Sequence, residues 1–128
     1  MQQLILLIDD DEDEGLLLEM ALQHCSRPTH VHQVTQFTHA VQFADTHTVT
    51  PAVVFLDLHM PDQSGLDIID WLKTHQRMKT IPVVVWSHTE NEHEINESLA
   101  RGANRFLSKM ADTATLHHEI GHICQSWL

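Results

Sequence analysis

The sequence predicts an α/β domain built on one parallel five-stranded sheet, doubly wound so that helices cover both faces. Short apolar runs alternate five times with longer amphipathic stretches, and this alternation is typical of parallel sheets with right-handed crossovers. The strongest runs lack polar alternation, which indicates strands buried on both faces. A chain of 128 residues has room for one hydrophobic core, so residues 1–128 are predicted to form a single domain.

The five predicted strands differ in strength. Residues 4–8, 52–56 and 81–86 are almost entirely apolar, whereas residues 31–34 contain a histidine and are flanked by another. We therefore expect the second strand to lie at an edge of the sheet. Residues 104–107 supply the fifth strand.

Amphipathic stretches between the strands predict five helices, at residues 12–25, 37–47, 65–76, 91–101 and 112–127. The fourth should end at Arg101, because a basic last turn followed by Gly102 is a common helix terminus. The fifth carries one apolar stripe at spacings of four, three and four residues, formed by Leu116, Ile120, Ile123 and Trp127.

Composition narrows the classes of function. The net charge is −11 with only seven lysines and arginines, so binding to nucleic acid is not expected. No apolar run approaches the roughly 18 residues that would span a membrane. The start at Met1 lacks the basic segment of a secretory signal, which predicts a cytoplasmic protein. Cys25 and Cys124 are expected to be isolated buried thiols, and the twelve histidines receive no function.

Polar side chains follow four predicted strands. Asp9 and Asp10 come after the first strand and Asp57 after the third, while Ser87 and Lys109 follow the fourth and fifth. In open parallel sheets, ligands bind beyond the carboxyl ends of the strands. We therefore expect these five side chains to meet at one edge of the sheet.

Crowded carboxylates repel one another unless a cation intervenes, and Mg²⁺ prefers oxygen ligands. Asp10 and Asp57 are predicted to bind Mg²⁺ directly, and Asp9 directly or through water, with Mn²⁺ as an alternative ion. A carboxylate in such a site can act as a nucleophile and form an aspartyl phosphate. Lys109 would then offset the charge of the transferring phosphoryl group, and Ser87 would hydrogen-bond one of its oxygens.

With these residues in place, the chain resembles the response regulator receiver family over essentially its whole length. The most specific motif is the segment 56–65, LDLHMPDQSG, which resembles the phosphoacceptor loop of that family. The first strand with its acid pair, the Trp86-Ser87 step and the Ser108-Lys109 step are similar to further family motifs. The last four residues, QSWL, resemble those of phytochrome-partnered single-domain regulators.

The resemblance implies a flavodoxin-like sheet with strand order 2-1-3-4-5 and a role in a two-component phosphorelay. Asp57 would take phosphate from a histidine kinase or phosphotransfer protein, and the backbone carbonyl of His59 would complete the metal site. Ser87 and Phe106 would act as the switch pair, and His59 and Thr89 would tune hydrolysis. The surface formed by the fourth helix, fifth strand and fifth helix would bind a downstream protein or a second copy of the chain.

Two residues depart from the family pattern. Met110 stands where the family has proline after its lysine, although a cis bond before a non-proline residue costs about 2.5–4 kcal/mol. We expect the cis bond to be retained, because the lysine contact demands that turn. Phe106 lacks the hydroxyl of a tyrosine, so its role would rest on packing.

Three other interpretations compete with the receiver. His118-Glu119-Ile120-Gly121-His122 matches the HExxH zinc-protease motif, but helical phase predicts that both histidines face solvent, and a third ligand is missing. Residues 9–11 match the DxD start of some phosphatases, which leaves the Asp57 loop unexplained. The third interpretation, a receiver-fold module that binds partners without phosphorylation, stays open.

The acids Glu12, Asp13 and Glu14 are interpreted as the solvated start of the first helix.

Overall fold

The computed structural model describes residues 2–128 as one sheet of five strands with five helices. Met1, where the N-terminal segment discussed above begins, lies outside the described residues. The strands are β1 (Gln3–Ile8), β2 (Thr29–Val34), β3 (Val53–Leu56), β4 (Val83–Ser87) and β5 (Arg105–Ser108). The helices are α1 (Glu12–Leu22), α2 (Phe37–Thr46), α3 (Gly65–Thr74), α4 (Glu92–Ala100) and α5 (Thr113–Trp127).

The strand order is β2-β1-β3-β4-β5, and every neighbouring pair is parallel. The predicted fold class and strand order are therefore confirmed, and β2 occupies an edge as expected. No helix in the described part of the chain is long and apolar enough to cross a membrane.

The sheet separates two apolar clusters, and alternate residues of β1 enter different ones. Ile5 and Leu7 pack with α1 and α5, whereas Leu6 and Ile8 pack with α2 and α3. All four side chains are fully buried. Because both faces of the strand are covered, neither set of alternate positions can be polar, which explains the unbroken apolar run.

Side-chain caps begin three of the five helices. The Asp11 carboxylate accepts a hydrogen bond from the Asp13 amide at the start of α1, and Asn91 and Asp112 cap α4 and α5 in the same way. Gly102 follows α4 with a φ of 116°, in the left-handed region that favours glycine. The predicted glycine terminus of the fourth helix is therefore confirmed.

Helix α2 takes its cap from a different part of the chain. Gln36 at its N-cap position makes no side-chain capping bond, but the Asp62 carboxylate accepts the backbone amides of Phe37 at 2.9 Å and Thr38 at 3.2 Å. These bonds hold the pKa of Asp62 below its ordinary value, and the bond from the Phe37 amide has the largest effect. The loop after β3 is thereby tied to α2.

The expectation for the two cysteines is wrong. Cys25 and Cys124 form a disulfide, with 5.6 Å between their Cα atoms and 99 residues between them in sequence. It joins the segment after α1 to α5. Spacing along the sequence does not show whether two cysteines pair, because only the fold brings positions so far apart together.

Candidate functional site

The ends of four neighbouring strands form the candidate site. The Asp57 amide donates to the Ile8 carbonyl at 2.9 Å, and the Lys109 amide donates to the Ser87 carbonyl at 2.8 Å. These bonds continue the ladders β1-β3 and β4-β5 by one residue beyond the strands. They align the residues that follow β1, β3 and β5 along one edge, as the sequence predicts.

Lys109 joins the acids from β1 and β3. Its Nζ lies 2.6 Å from Asp9 Oδ2 and 3.5 Å from Asp57 Oδ2. The exposed fraction of the side chain is 3% for Lys109, 0% for Asp9 and 10% for Asp57. A buried charge is costly unless it is paired, so this ammonium and its carboxylates depend on one another.

Protonation in this pair follows from burial and charge. Burial raises the pKa of Asp9 above its ordinary value, against the hydrogen bonds from Lys109 and Asp11. Burial would lower the pKa of Lys109, but its hydrogen bond to Asp9 and the charges of Asp57, Asp9 and Glu14 raise it overall. Lys109 therefore stays an ammonium at neutral pH, and the excess of negative charge remains on the acids.

Three acids provide ligands for a cation. Oxygen atoms of Asp9, Asp10 and Asp57 lie within 4.8 Å of one another, and only Asp10 is exposed. An all-carboxylate set with one open side suits a hard divalent ion such as Mg²⁺, which keeps waters or phosphate oxygens in its shell. Positive charge at this point would also relieve the burial penalty on Asp9. The residues therefore fit such an ion.

The remaining predicted residues surround this cluster. Ser87, the last residue of β4, is fully buried, and its Oγ accepts the Thr89 amide at 3.3 Å. The His59 amide donates to Asp57 Oδ1 at 3.2 Å, and its ring Nε2 lies 3.2 Å from Glu94 Oε1 on α4. Phe106 on β5 is half-buried and packs against the cluster shared by α2 and α3.

Two residues that contact the site, Trp86 and Gln33, were not predicted. The Trp86 ring lies under the ammonium of Lys109, 5.2 Å from Nζ to the ring centroid. Gln33 Nε2 donates to the carbonyls of Asp9 at 2.7 Å and Asp11 at 2.9 Å, which steadies the acidic loop. The only feature of the sequence that could have pointed to Gln33 is that it is a polar residue within the weak second strand.

Glu14 corrects one sequence interpretation. It is not simply part of a solvated helix start, since its side chain is 12% exposed and its Oε1 lies 4.0 Å from Lys109 Nζ and 3.7 Å from His88 Nε2. Its place on the first turn of α1 turns it toward the cluster. Glu12 and Asp13 are exposed as predicted.

The expected cis bond before Met110 is also wrong. There is no cis peptide bond in the described chain, so Lys109 reaches Asp9 with a trans bond behind it. The lysine contact is therefore made without the cis turn.

The HExxH motif lacks the geometry of a zinc protease site. His118 and His122 are exposed on α5, with 3.1 Å between their Nε2 atoms, as helical phase predicts. The Glu119 carboxylate is engaged by Arg105, 2.9 Å from Nε and 2.5 Å from Nη2. Within the described residues, the only group of three or more candidate metal ligands is Asp9, Asp10 and Asp57.

Comparisons with known proteins agree with this geometry. Residues 5–121 match the family described as the response regulator receiver domain. The transcriptional regulatory protein KdpE of Staphylococcus aureus is 34% identical over 110 residues, which are 85% of this chain but only 44% of KdpE. The chain thus spans less than half of that relative.

Two further relatives are similar over nearly their whole length. Response regulator Rcp1 of Synechocystis is 24% identical to this chain, and the match covers 98% of this chain and 89% of Rcp1. A Mn²⁺-bound structure of a response regulator Rcp1 has a TM-score of 0.84, with 98% of this chain and 94% of that chain covered. The structure of the phosphorylated cyanobacterial phytochrome response regulator RcpA has a TM-score of 0.85 at 26% identity, with 99% and 94% covered.

Proposed function

This chain belongs to the response regulator receiver family, and from that premise we propose that Asp57 is its phosphoacceptor in a two-component phosphorelay. Members of the family are signalling proteins and not proteases. Residues 1–128 would act as one receiver domain in the cytoplasm. The donor would be the phosphohistidine of a histidine kinase or of a phosphotransfer protein.

One observation carries the proposal. A buried lysine from β5 lies within 4 Å of carboxylates from both β1 and β3, at 2.6 Å from Asp9 and 3.5 Å from Asp57. A merely structural ion pair would need one acid, whereas this ammonium faces two, and a third, Asp10, lies exposed beside them. Surplus negative charge around a nucleophilic carboxylate is useful when a cation and a phosphoryl group are to be bound.

Asp9, Asp10 and Asp57 would hold Mg²⁺, or Mn²⁺ as in the Rcp1 structure, together with the backbone carbonyl of His59. When bound, the ion neutralises charge on the carboxylates and on the oxygens of the phosphoryl group. The exposed carboxylate of Asp10 marks the open side of the cluster, from which a donor can approach.

Different residues of the chain would serve the individual steps of phosphoryl transfer. A carboxylate oxygen of Asp57 attacks phosphorus, and the phosphorus–nitrogen bond of the donor histidine breaks, so that an acyl phosphate forms and the imidazole leaves. The Lys109 ammonium stabilises charge on the phosphoryl oxygens, and the Ser87 hydroxyl donates a hydrogen bond to one of them. His59 and Thr89, whose amides donate to Asp57 and Ser87, would tune attack by water during hydrolysis.

The signal would leave through the face formed by α4, β5 and α5. Ser98 is the only buried residue of α4, and Leu99 is 42% exposed. Thin packing leaves a helix easy to move. Movement of Ser87 and Phe106 toward the phosphoryl group would shift this face and change its affinity for a downstream protein or for a second copy of the chain.

The test is phosphorylation by a small phosphodonor with and without Mg²⁺, followed by intact-mass measurement. We expect a gain of one phosphoryl group that requires the metal and disappears in Asp57→Asn. Asp13→Asn, which removes an exposed acid of the same charge from α1, should behave as the wild type. A gain that survives in Asp57→Asn would refute the assignment.

The second candidate function is a binding module that works unphosphorylated, and Met110 and Phe106 are the departures that favour it. It predicts no mass gain under any of these conditions, together with partner binding that Asp57→Asn leaves unchanged. Kinase-dependent changes in partner affinity would exclude it.

A further inference from the structure

The disulfide joins two helices that both begin at the acidic site. Helix α1 starts directly after the acids of β1, and α5 starts shortly after Lys109. Cys25 lies just beyond the C-terminal end of α1, and Cys124 lies in the last turn of α5. The bond therefore ties together the far ends of two helices whose near ends carry the site.

Without this bond, α5 would be held by one apolar stripe and by the ion pair between Arg105 on β5 and Glu119. Ile120 and Ile123 are its only buried residues, and Leu116 and Trp127 are half-buried beside the same cluster. The opposite side of the helix is exposed and rich in histidine. Because the disulfide closes 99 residues of chain, it removes much conformational freedom from any state in which α5 is detached.

The disulfide is open to attack from solvent. Both cysteines are half-buried and line a cavity of about 340 Å³ between the end of α1 and α5. His24 and His117 line the same cavity, with 5.1 Å between their ring centroids. Gly121 forms part of the wall, and a side chain there would meet nothing within 4 Å, so a small thiol has room to enter.

We propose that Cys25–Cys124 is a thiol–disulfide exchange site whose substrate is a dithiol reductant, and that its redox state sets how firmly α5 is held. A thiolate of the reductant attacks one sulfur, forms a mixed disulfide and releases the other cysteine as a thiolate, which takes up a proton. The second thiol of the reductant then displaces the first cysteine. Two electrons and two protons pass to the protein, and the reductant leaves as a disulfide.

The surroundings suit this chemistry better than they suit an inert staple. An imidazole N–H of His24 or His117, both of which line the cavity, can donate a hydrogen bond to the departing thiolate, and polar neighbours of this kind are found in reactive thiol sites. Disulfides in a reducing compartment are mostly transient or redox-sensing, a point that rests on the proposed cytoplasmic location. The exchange itself goes beyond phosphorylation and requires nothing of Asp57.

The first experiment counts thiols in the native protein of residues 1–128 by alkylation and mass spectrometry. We expect no alkylated cysteine in protein that has first been oxidised with glutathione disulfide, and two after millimolar dithiothreitol without denaturant. Free thiols that persist in the oxidised protein would overturn the proposal. So would a disulfide that dithiothreitol opens only in denaturant, since that bond would be a buried structural link.

The second experiment measures backbone hydrogen exchange in the oxidised and the reduced protein. Exchange in α5 should rise about tenfold or more on reduction, while β3 in the centre of the sheet stays unchanged. The double variant Cys25→Ser, Cys124→Ser should reproduce the reduced pattern without any reductant. Equal exchange in α5 in both redox states would overturn the proposed effect on the helix.

The histidines are tested by the rate of reduction. The double variant His24→Ala, His117→Ala should be reduced at least about threefold more slowly than the wild type. His118→Ala, on the same helix but outside the cavity, is the matched control and should not slow reduction. Equal rates in all three proteins would remove the two histidines from the proposed site.

Phosphorylation of Asp57 separates this inference from the proposed function. Both redox states should accept a phosphoryl group if Asp57 is the phosphoacceptor. A protein that exchanges its disulfide but never gains phosphate would leave the exchange site standing and refute the receiver activity. A protein that gains phosphate but resists dithiothreitol would do the reverse.

Discussion

Helices α3 and α4 have nearly the same length, 10 and 9 residues, but they are held in opposite ways. Helix α3 buries Ile68, Ile69 and Leu72 completely, whereas α4 buries no apolar side chain and leaves Leu99 42% exposed. Apolar area removed from water anchors α3, whereas α4 depends mainly on its caps. The helix after the Asp57 loop is therefore a fixed support, and the helix after the Ser87 loop is free to respond.

Both helices contact the loop that carries Asp57. The Gly65 amide at the start of α3 donates to the Leu58 carbonyl at 2.9 Å, a short backbone contact. Helix α4 contacts the same loop through Glu94, whose Oε1 lies 3.2 Å from Nε2 of the exposed His59 ring. Exposed pairs of this kind contribute little to stability. The structure therefore gives Asp57 a rigid neighbour on one side and a loosely attached one on the other.

The largest expected effect comes from leucine truncation in the two helices. Leu72→Ala should lower the free energy of unfolding by about 2–5 kcal/mol, because it opens a cavity in a fully packed core. Leu99→Ala removes the same atoms from an exposed site and should change it by no more than about 0.5 kcal/mol. Urea denaturation of both variants gives the two values, and similar losses would mean that α4 is packed as firmly as α3.

A glycine pair tests the start of α3. In Gly65→Ala the added Cβ would lie 2.6 Å from the Leu58 carbonyl oxygen, so the backbone must shift, at a cost of about 1–3 kcal/mol. Gly121→Ala in α5 meets no atom within 4 Å and should stabilise the protein by about 0.5–1 kcal/mol, since alanine favours helix. Thermal unfolding distinguishes them. A Gly65→Ala protein as stable as the wild type would show that the contact between α3 and the Asp57 loop is not tight.

The smallest expected effect concerns the charges that link the two helices. Arg101 at the end of α4 lies 3.1 Å from Asp70 and 3.3 Å from Asp67 on α3, and 3.1 Å from Glu97. Arg101→Ala should barely change stability, because exposed ion pairs contribute little, but hydrogen exchange in the last turn of α4 should rise. Lys79→Ala, outside this network, is the control. A large loss of stability would show that this network, and not the caps, holds α4.

How far the sequence predicts these features depends on the range of the interaction. Unbroken apolar runs identified β1, β3 and β4, and the strand-end acids with Lys109 were expected together because parallel strands align their carboxyl ends. The disulfide, the Asp62 cap on α2 and the contact of Glu14 with Lys109 were not foreseen. Each joins residues whose pairing depends on tertiary placement, which local patterns do not encode.

Helix α4 illustrates the same limit within one element. Its cap at Asn91 and its glycine terminus are local and were predictable in kind, and the predicted bounds differ from the observed ones by one residue at each end. The side chain that it buries is Ser98, although its apolar residues are Ile95 and Leu99. A helix with so few apolar residues does not show clearly which of its sides faces the core. In α4 that side is set by contacts with β5.

The central claim is that phosphorylation of Asp57 is transmitted through α4 while α3 stays fixed. Hydrogen exchange of both helices, measured in one sample before and after magnesium-dependent phosphorylation, tests it most directly. We predict that exchange in α4 changes by about tenfold or more while exchange in α3 does not. An unchanged α4, or a change of equal size in α3, would contradict the account.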